Sequence, residues 1–107
     1  MNKFEYTIET SLPSQASRKV IAAPKNINQV SSVHLSCSGS GKFILRRNRE
    51  VVATLFTDSG NRQAEYKIPV HMRYGEDEFT VEFINRDVQA QDMYAVVQTD
   101  VETRNVK

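Results

Sequence analysis

Tryptophan is absent from this 107-residue chain, cysteine occurs once, and only four glycines and three prolines are present. One cysteine cannot make an internal disulfide, so the fold must stand on a packed core, and the redox compartment is left open. So few glycines and prolines exclude collagen-like and low-complexity architectures. No apolar run approaches the ~20 residues of a membrane-spanning helix; the longest, Met93 to Val97, stops at Gln98. Met1-Asn2-Lys3-Phe4-Glu5-Tyr6 has no apolar stretch of the kind a secretory signal needs, so export through a signal peptide is not expected. Neither sign of charge dominates: 14 basic residues face 13 acidic ones, for a formal charge of +1. That balance argues against a generic binder of polyanions. With 39% apolar and 25% charged residues, both disorder and a membrane location fit poorly. The length is that of one ordinary domain, here expected over residues 1–107.

What is present repeats with a period of two. Phe4, Tyr6 and Ile8 alternate with Lys3, Glu5, Thr7 and Glu9, and Phe79, Val81 and Phe83 with Glu78, Thr80 and Glu82. Met93, Ala95, Val97, Thr99 and Val101 form another set, Val33, Leu35 and Cys37 another, and Tyr66, Ile68 and Val70 a fifth. Such alternation is the mark of strands with one wet face, and no window shows helical recurrence. Phe43-Ile44-Leu45 and Val51 to Phe56 are apolar on both faces, which predicts a central pair of strands. Polar residues 46–50 lie between them, and Asn48 tolerates positive φ, so a β-hairpin is expected there. Pro69 removes a ladder donor and marks its strand as an edge or a bulge. About seven or eight short strands at this spacing predict an all-β, antiparallel β-sandwich or jelly roll, or a small barrel. Residues 10–19, small and polar with one proline, read as a loop or arm, and residues 102–107 as a polar tail. The expected core is Phe43, Leu45, Leu55, Phe56, Phe79, Val81, Phe83 and Val97.

Chemistry is sparse. Ser38-Gly39-Ser40-Gly41-Lys42 lacks the first Walker glycine, because Ser36 stands there, and Phe43 replaces the Ser or Thr after the lysine. A glycine turn between strands is the better reading. Cys37 and His34 are three residues apart on one strand and therefore face opposite ways. Cys37 reads as a buried small hydrophobe, and two histidines with one cysteine offer no zinc spacing. Glu76, Asp77 and Glu78 crowd one turn, and Asp58 and Asn61 another, a weak basis for calcium without an Asp-x-Asp-x-Asp ladder. A glycosidase pair would need cleft walls that a domain of this size does not offer. No metal and no cofactor is expected, and no catalytic cluster is found, so the chain is expected not to be an enzyme.

A domain of this kind works through its surface. Its short strands, polar arms and lack of an export signal resemble, as a type, the small jelly-roll or sandwich proteins of virus and phage particles: decoration, cement and vertex proteins. The resemblance implies a non-enzymatic structural protein, self-assembling or attached to a capsid protein, located in a virion or the host cytoplasm. It carries no functional residue over. One alternative is a carbohydrate-binding or adhesin-type sandwich using Tyr74 and Tyr94. Another is an OB-like nucleic-acid binder using the Arg46 to Arg49 hairpin, disfavoured by the acidic total and by aromatics placed inward.

Charge is the most informative feature. Residues 11–49 contain seven basic residues and no acid, whereas residues 76–102 contain eight acids against Arg86 alone. Either the two segments pair within the fold, or they leave a basic and an acidic surface through which identical copies meet head to tail. The candidate interaction residues are Arg46, Arg47 and Arg49 on one side and Glu76, Asp77 and Glu78 on the other, with other protein subunits as partners.

Overall fold

The structure, a computed structural model, describes residues 2–102. The chain forms β1 (Asn2–Leu12), β2 (Ser17–Ile21), β3 (Gln29–Cys37), β4 (Gly41–Arg47), β5 (Glu50–Thr57), β6 (Gln63–Tyr66), β7 (Val70–His71), β8 (Phe79–Asn85) and β9 (Gln91–Val101). No helix occurs among the described residues. Sheet A runs β1-β9-β3-β6, with β7 also paired to β3, and sheet B runs β2-β8-β4-β5. All pairings are antiparallel; those of β4 with β5, β3 with β6 and β7, β2 with β8, and β1 with β9 join strands placed symmetrically about the β4–β5 turn, while β3 with β9 and β4 with β8 set these pairs side by side within each sheet. The chain is one long hairpin folded at Asn48-Arg49 and wrapped so that successive arms fall in alternate sheets. That wrapping is the jelly roll, one of the two sandwich forms the alternation predicts.

Nine strands replace the expected seven or eight because one run is split. Pro69 cannot donate to the ladder, so the run breaks into β6 and β7, both held on the same neighbour, β3, at the sheet edge. The inward side chains fill the space between the sheets. Phe43, Leu45, Phe79, Val81, Phe83, Val33, Met93, Ala95 and Val97 are all fully or almost fully buried. Phe43 and Phe83 meet edge to face, with ring centroids 5.8 Å apart and planes at 76°. Cys37 is buried among them and His34 is exposed, as their odd spacing requires.

Three expectations fail, each for a physical reason. Residues 10–19 are not a loop: Thr10, Ser11 and Leu12 continue β1 against Met93, Asp92 and Gln91, and β2 begins at Ser17. Only a tight turn separates them, closed by the Ala16 amide donating to the Pro13 carbonyl at 3.1 Å. Backbone pairing along two sheet edges holds this segment, and that leaves no apolar signature. Second, β5 is an edge strand rather than half of a central pair. Third, Phe56 is therefore 52% exposed and Leu55 only half-buried. Residues 103–107 of the expected tail lie outside the described residues, and Glu102 is exposed.

Candidate interaction surfaces

The middle of the chain is the tip of the wrapped hairpin, and it projects at one end of the sandwich. Asn48 takes φ of 57°, which asparagine tolerates better than most residues, and so closes a two-residue turn. Its main chain and side chain hold the acidic turn. The Asn48 amide donates to the Glu78 carbonyl at 2.7 Å, its Nδ2 donates to Asp77 Oδ1 at 3.0 Å, and its Oδ1 accepts from the Glu78 amide at 3.0 Å. Gly75, at φ of 78°, turns the chain so that Asp77 folds back on Arg73. Arg73 donates to the Asp77 carboxylate through its backbone amide, Nε and Nη2, at 2.8, 3.1 and 2.9 Å. These bonds, those from the Arg73 side chain first, hold the buried Asp77 carboxyl well below the usual carboxylate range.

The expected interaction residues are thus partly brought together. Arg47 donates to the His71 carbonyl at 3.1 Å, tying sheet B to sheet A, and lies 3.5 Å from Glu50. Glu76 stands 3.9 Å from Arg73. Arg49 is exposed on the turn, with no ion pair among the described residues. Arg47, Arg49, His71, Arg73 and Asp77 line a shallow cleft of about 480 Å³. Arg46 does not join it, pointing outward from β4 to pair with Glu82 on β8 at 2.7 Å. Arg73 was missed in the sequence because its partner lies across a turn rather than on a helix or strand face. The Arg-x-x-x-Asp spacing around Tyr74-Gly75 was the available signal.

A depressed carboxylate pKa has a defined consequence for stability. Unfolded aspartate titrates near ~3.9, so the Asp77 pair contributes fully above about pH 5 and is lost as the pH falls below ~4. Asp77→Asn is expected to lower the melting temperature at pH 7, with a smaller gap to the parent at about pH 2. An equal gap at both pH values in thermal melts by circular dichroism would count against this account.

Outside the tip, the two sheets present different surfaces. The outward positions of sheet B carry Lys19 on β2, Lys42 and Arg46 on β4, and Arg86 just past β8, against Glu82 alone. Between these charges lie apolar side chains: Ile21, Val51 and Phe56 are exposed, and Ile44 and Ile84 half-buried. Phe56 sits between two cations, with Lys42 Nζ 5.8 Å and Arg86 Cζ 5.2 Å from its ring centroid. Sheet A is the opposite. Its outward positions carry Glu5 and Glu9 on β1, Asp92 on β9 and Glu65 on β6, against Lys3 on β1 and Lys67 just past β6, which pairs with Glu65. The basic and acidic segments of the sequence pair in part, as Arg46 with Glu82, but the acids of the sheet A face come mostly from elsewhere in the chain, Asp92 alone belonging to residues 76–102.

The remaining candidates are dispersed. The acidic turn at Glu76 to Glu78 and the turn at Asp58 lie beyond opposite ends of β5, and Asp58 Oδ1 already accepts the amides of Gly60 and Asn61. Tyr94 faces outward from β9, whereas Tyr74 lies in the loop before β8, so they share no surface. No helix of the described residues is long and apolar enough to cross a membrane.

No protein-family model matches the sequence, and no curated protein matches it significantly. Solved structures do share the fold. A mitogen derived from Yersinia pseudotuberculosis matches with a TM-score of 0.62 at 11% identity, covering 95% of this chain and 90% of its own. The PRD1 vertex protein P5 matches with a TM-score of 0.60 at 6% identity, covering 92% of this chain and 96% of its own. A protein of Bacillus endospore appendages, described as disulfide-linked pili, matches with a TM-score of 0.52 at 7% identity, covering 94% and 89%. At these identities the likeness establishes the fold.

Proposed function

We propose that this jelly roll is a non-enzymatic structural protein that assembles with copies of itself, as a component of a virion or a comparable particle. One observation carries the reading. The two outer faces of the sandwich are complementary in charge, and the basic one exposes more apolar surface than a wet sheet face requires. Charge of both signs on separate faces sets how copies meet, while apolar contact supplies most of the hold. Two of the fold's matches, a vertex protein and an appendage pilus protein, are parts of assemblies by their names, in keeping with this use. Covalent linkage through disulfides is not open to this chain in the same way. Its single cysteine, Cys37, is 3% exposed inside the sandwich, so its assembly is non-covalent.

Sedimentation over a concentration series tests the proposal. The mean mass is expected to rise with concentration at low salt. It should fall back toward one chain near 1 M salt, where the Debye length shrinks to ~3 Å. A single-chain mass at every concentration and both salts would overturn self-assembly.

A further inference from the structure

We infer that copies stack heterologously, the sheet B face of one on the sheet A face of the next, with Phe56 seated in a hollow beside Tyr94. The inference rests on the self-assembly reading and specifies its contact. Phe56 is the most unusual side chain on the surface. It is a large aromatic, half exposed on an edge strand, flanked by Lys42 and Arg86, neither of which has a carboxylate partner among the described residues. Buried aromatics with adjacent cations are the groups that most often dominate an interface.

The sheet A face holds the matching shape. A hollow of about 370 Å³ lies on it, lined by Tyr94, Val96, His34, Gln98 and Glu5. Its apolar floor is Val96 and the Tyr94 ring, the one aromatic among that sheet's outward strand positions. On β1, Glu5 and Glu9 flank Thr7, which pairs with Val96. Glu9 has no partner among the described residues, and Glu5 only a long 3.4 Å bond from Gln98. Glu65 is already engaged, by Lys67 at 3.0 Å and His34 at 3.3 Å. An aromatic between two free cations on one face thus corresponds to an apolar hollow beside two available carboxylates on the other.

The occupant is a second copy because the complement is on the same molecule. A strand of nucleic acid would also accept an aromatic with cations, but Glu82 stands in the middle of the sheet B face, and no second aromatic occupies an outward strand position there on which a further base could stack. The two faces differ, so the contact is heterologous: it leaves one donor and one acceptor face free and propagates as a ring or an open stack. Its footprint is small. Four strands at ~4.8 Å and about five residues at ~3.4 Å give roughly 300 Å² per partner, below the ~800 Å² of a standard interface. A single contact is therefore weak, and a stable array depends on its repetition.

The test uses three variants, each followed by sedimentation at protein concentrations up to about 1 mM. Phe56→Ser is expected to weaken self-association by at least about tenfold while leaving the melting temperature nearly unchanged, since the ring is half exposed. Lys42→Glu with Arg86→Glu, and separately Glu5→Lys with Glu9→Lys, should each abolish it, because the charges that meet around Phe56 and the hollow then have the same sign. Mixing these two double variants should restore assembly, since each supplies the complement of the other. A parent that associates while all three variants associate equally well, or a mixture that fails to restore assembly, overturns this contact and leaves the self-assembly reading standing. A parent that never associates overturns both. Salt-sensitive binding of a single-stranded oligonucleotide that is lost in Phe56→Ser, with no self-association of the parent, would assign the face to nucleic acid instead.

Discussion

Replacing Asn85 by Asp, a change of one side-chain atom, is expected to remove about 3–5 kcal/mol of stability at neutral pH. Asn85 is fully buried at the last position of β8, at the end of the sandwich away from the charged tip. Its Nδ2 donates to three carbonyls, those of Leu12, Pro13 and Gln89, at 3.0, 3.1 and 2.9 Å. Its Oδ1 accepts the Asp87 amide at 2.9 Å, and its own amide donates to Ala16 at 2.9 Å. One side chain therefore joins the β1–β2 turn to the β8–β9 loop, across the two sheets. In the Asp variant a buried carboxylate oxygen faces three carbonyl oxygens with nothing to donate, and its charge has no partner.

The pH dependence of that variant has a definite sign. Burial and the carbonyls raise the folded-state pKa of the new carboxyl above the unfolded value of ~3.9. The penalty is therefore complete above the raised value and shrinks as the pH falls, because the protonated acid regains one donor. Melts of Asn85→Asp and parent at pH 7 and about pH 4.5 should show the gap narrowing on acidification. Asn85→Ala should show a gap that does not narrow. Parent-like melting of Asn85→Asp at pH 7 would dismiss the role assigned to this residue.

Phe83→Ala is expected to cost about 3–5 kcal/mol, and Phe56→Ala under about 1 kcal/mol. Phe83 is fully buried on a central strand, paired with Phe43 on β4 and Arg18 on β2, and its ring abuts Phe43. Its truncation opens a cavity whose walls are strands hydrogen-bonded on both sides and unable to collapse. A domain of this size holds about 5–15 kcal/mol in total, so this one change removes a large share. Phe56, on the outward side of an edge strand, leaves no cavity. Urea midpoints of the two variants should therefore differ widely, at unchanged slope. Similar midpoints would refute the face assignment of one of the two strands.

The contrast between the two phenylalanines shows where sequence reasoning reaches and where it stops. Alternation placed Phe79, Val81 and Phe83 inward without ambiguity, because Glu78 and Glu82 can only face water and the strand period leaves no other choice. The same logic recovered Val33, Leu35 and Cys37, the positive φ at Asn48, and the edge at Pro69. It could not place Phe56, since Val51 to Phe56 has no polar residue to mark a wet side apart from Thr54. An apolar run reads alike whether both faces are covered or one awaits a partner. Nor could it see Thr10 to Leu12 or Ser17 to Lys19 as strands, whose pairing rests on backbone groups common to every residue.

Local composition and alternation determined the class of fold, most of the core-facing residues and the position of the hairpin at the centre of the chain. Only the tertiary structure decided which strands lie side by side, because pairing about that hairpin joins residues up to 99 positions apart, Asn2 with Val101. That wrapping splits the basic segment between Arg46, neutralised by Glu82, and Lys42, which meets Arg86 of the acidic segment beside Phe56. It also sends Glu5 and Glu9 to the far side of the sandwich, on the outward positions of β1. Charge along the chain is additive and legible; charge on a face depends on which strands the fold makes neighbours.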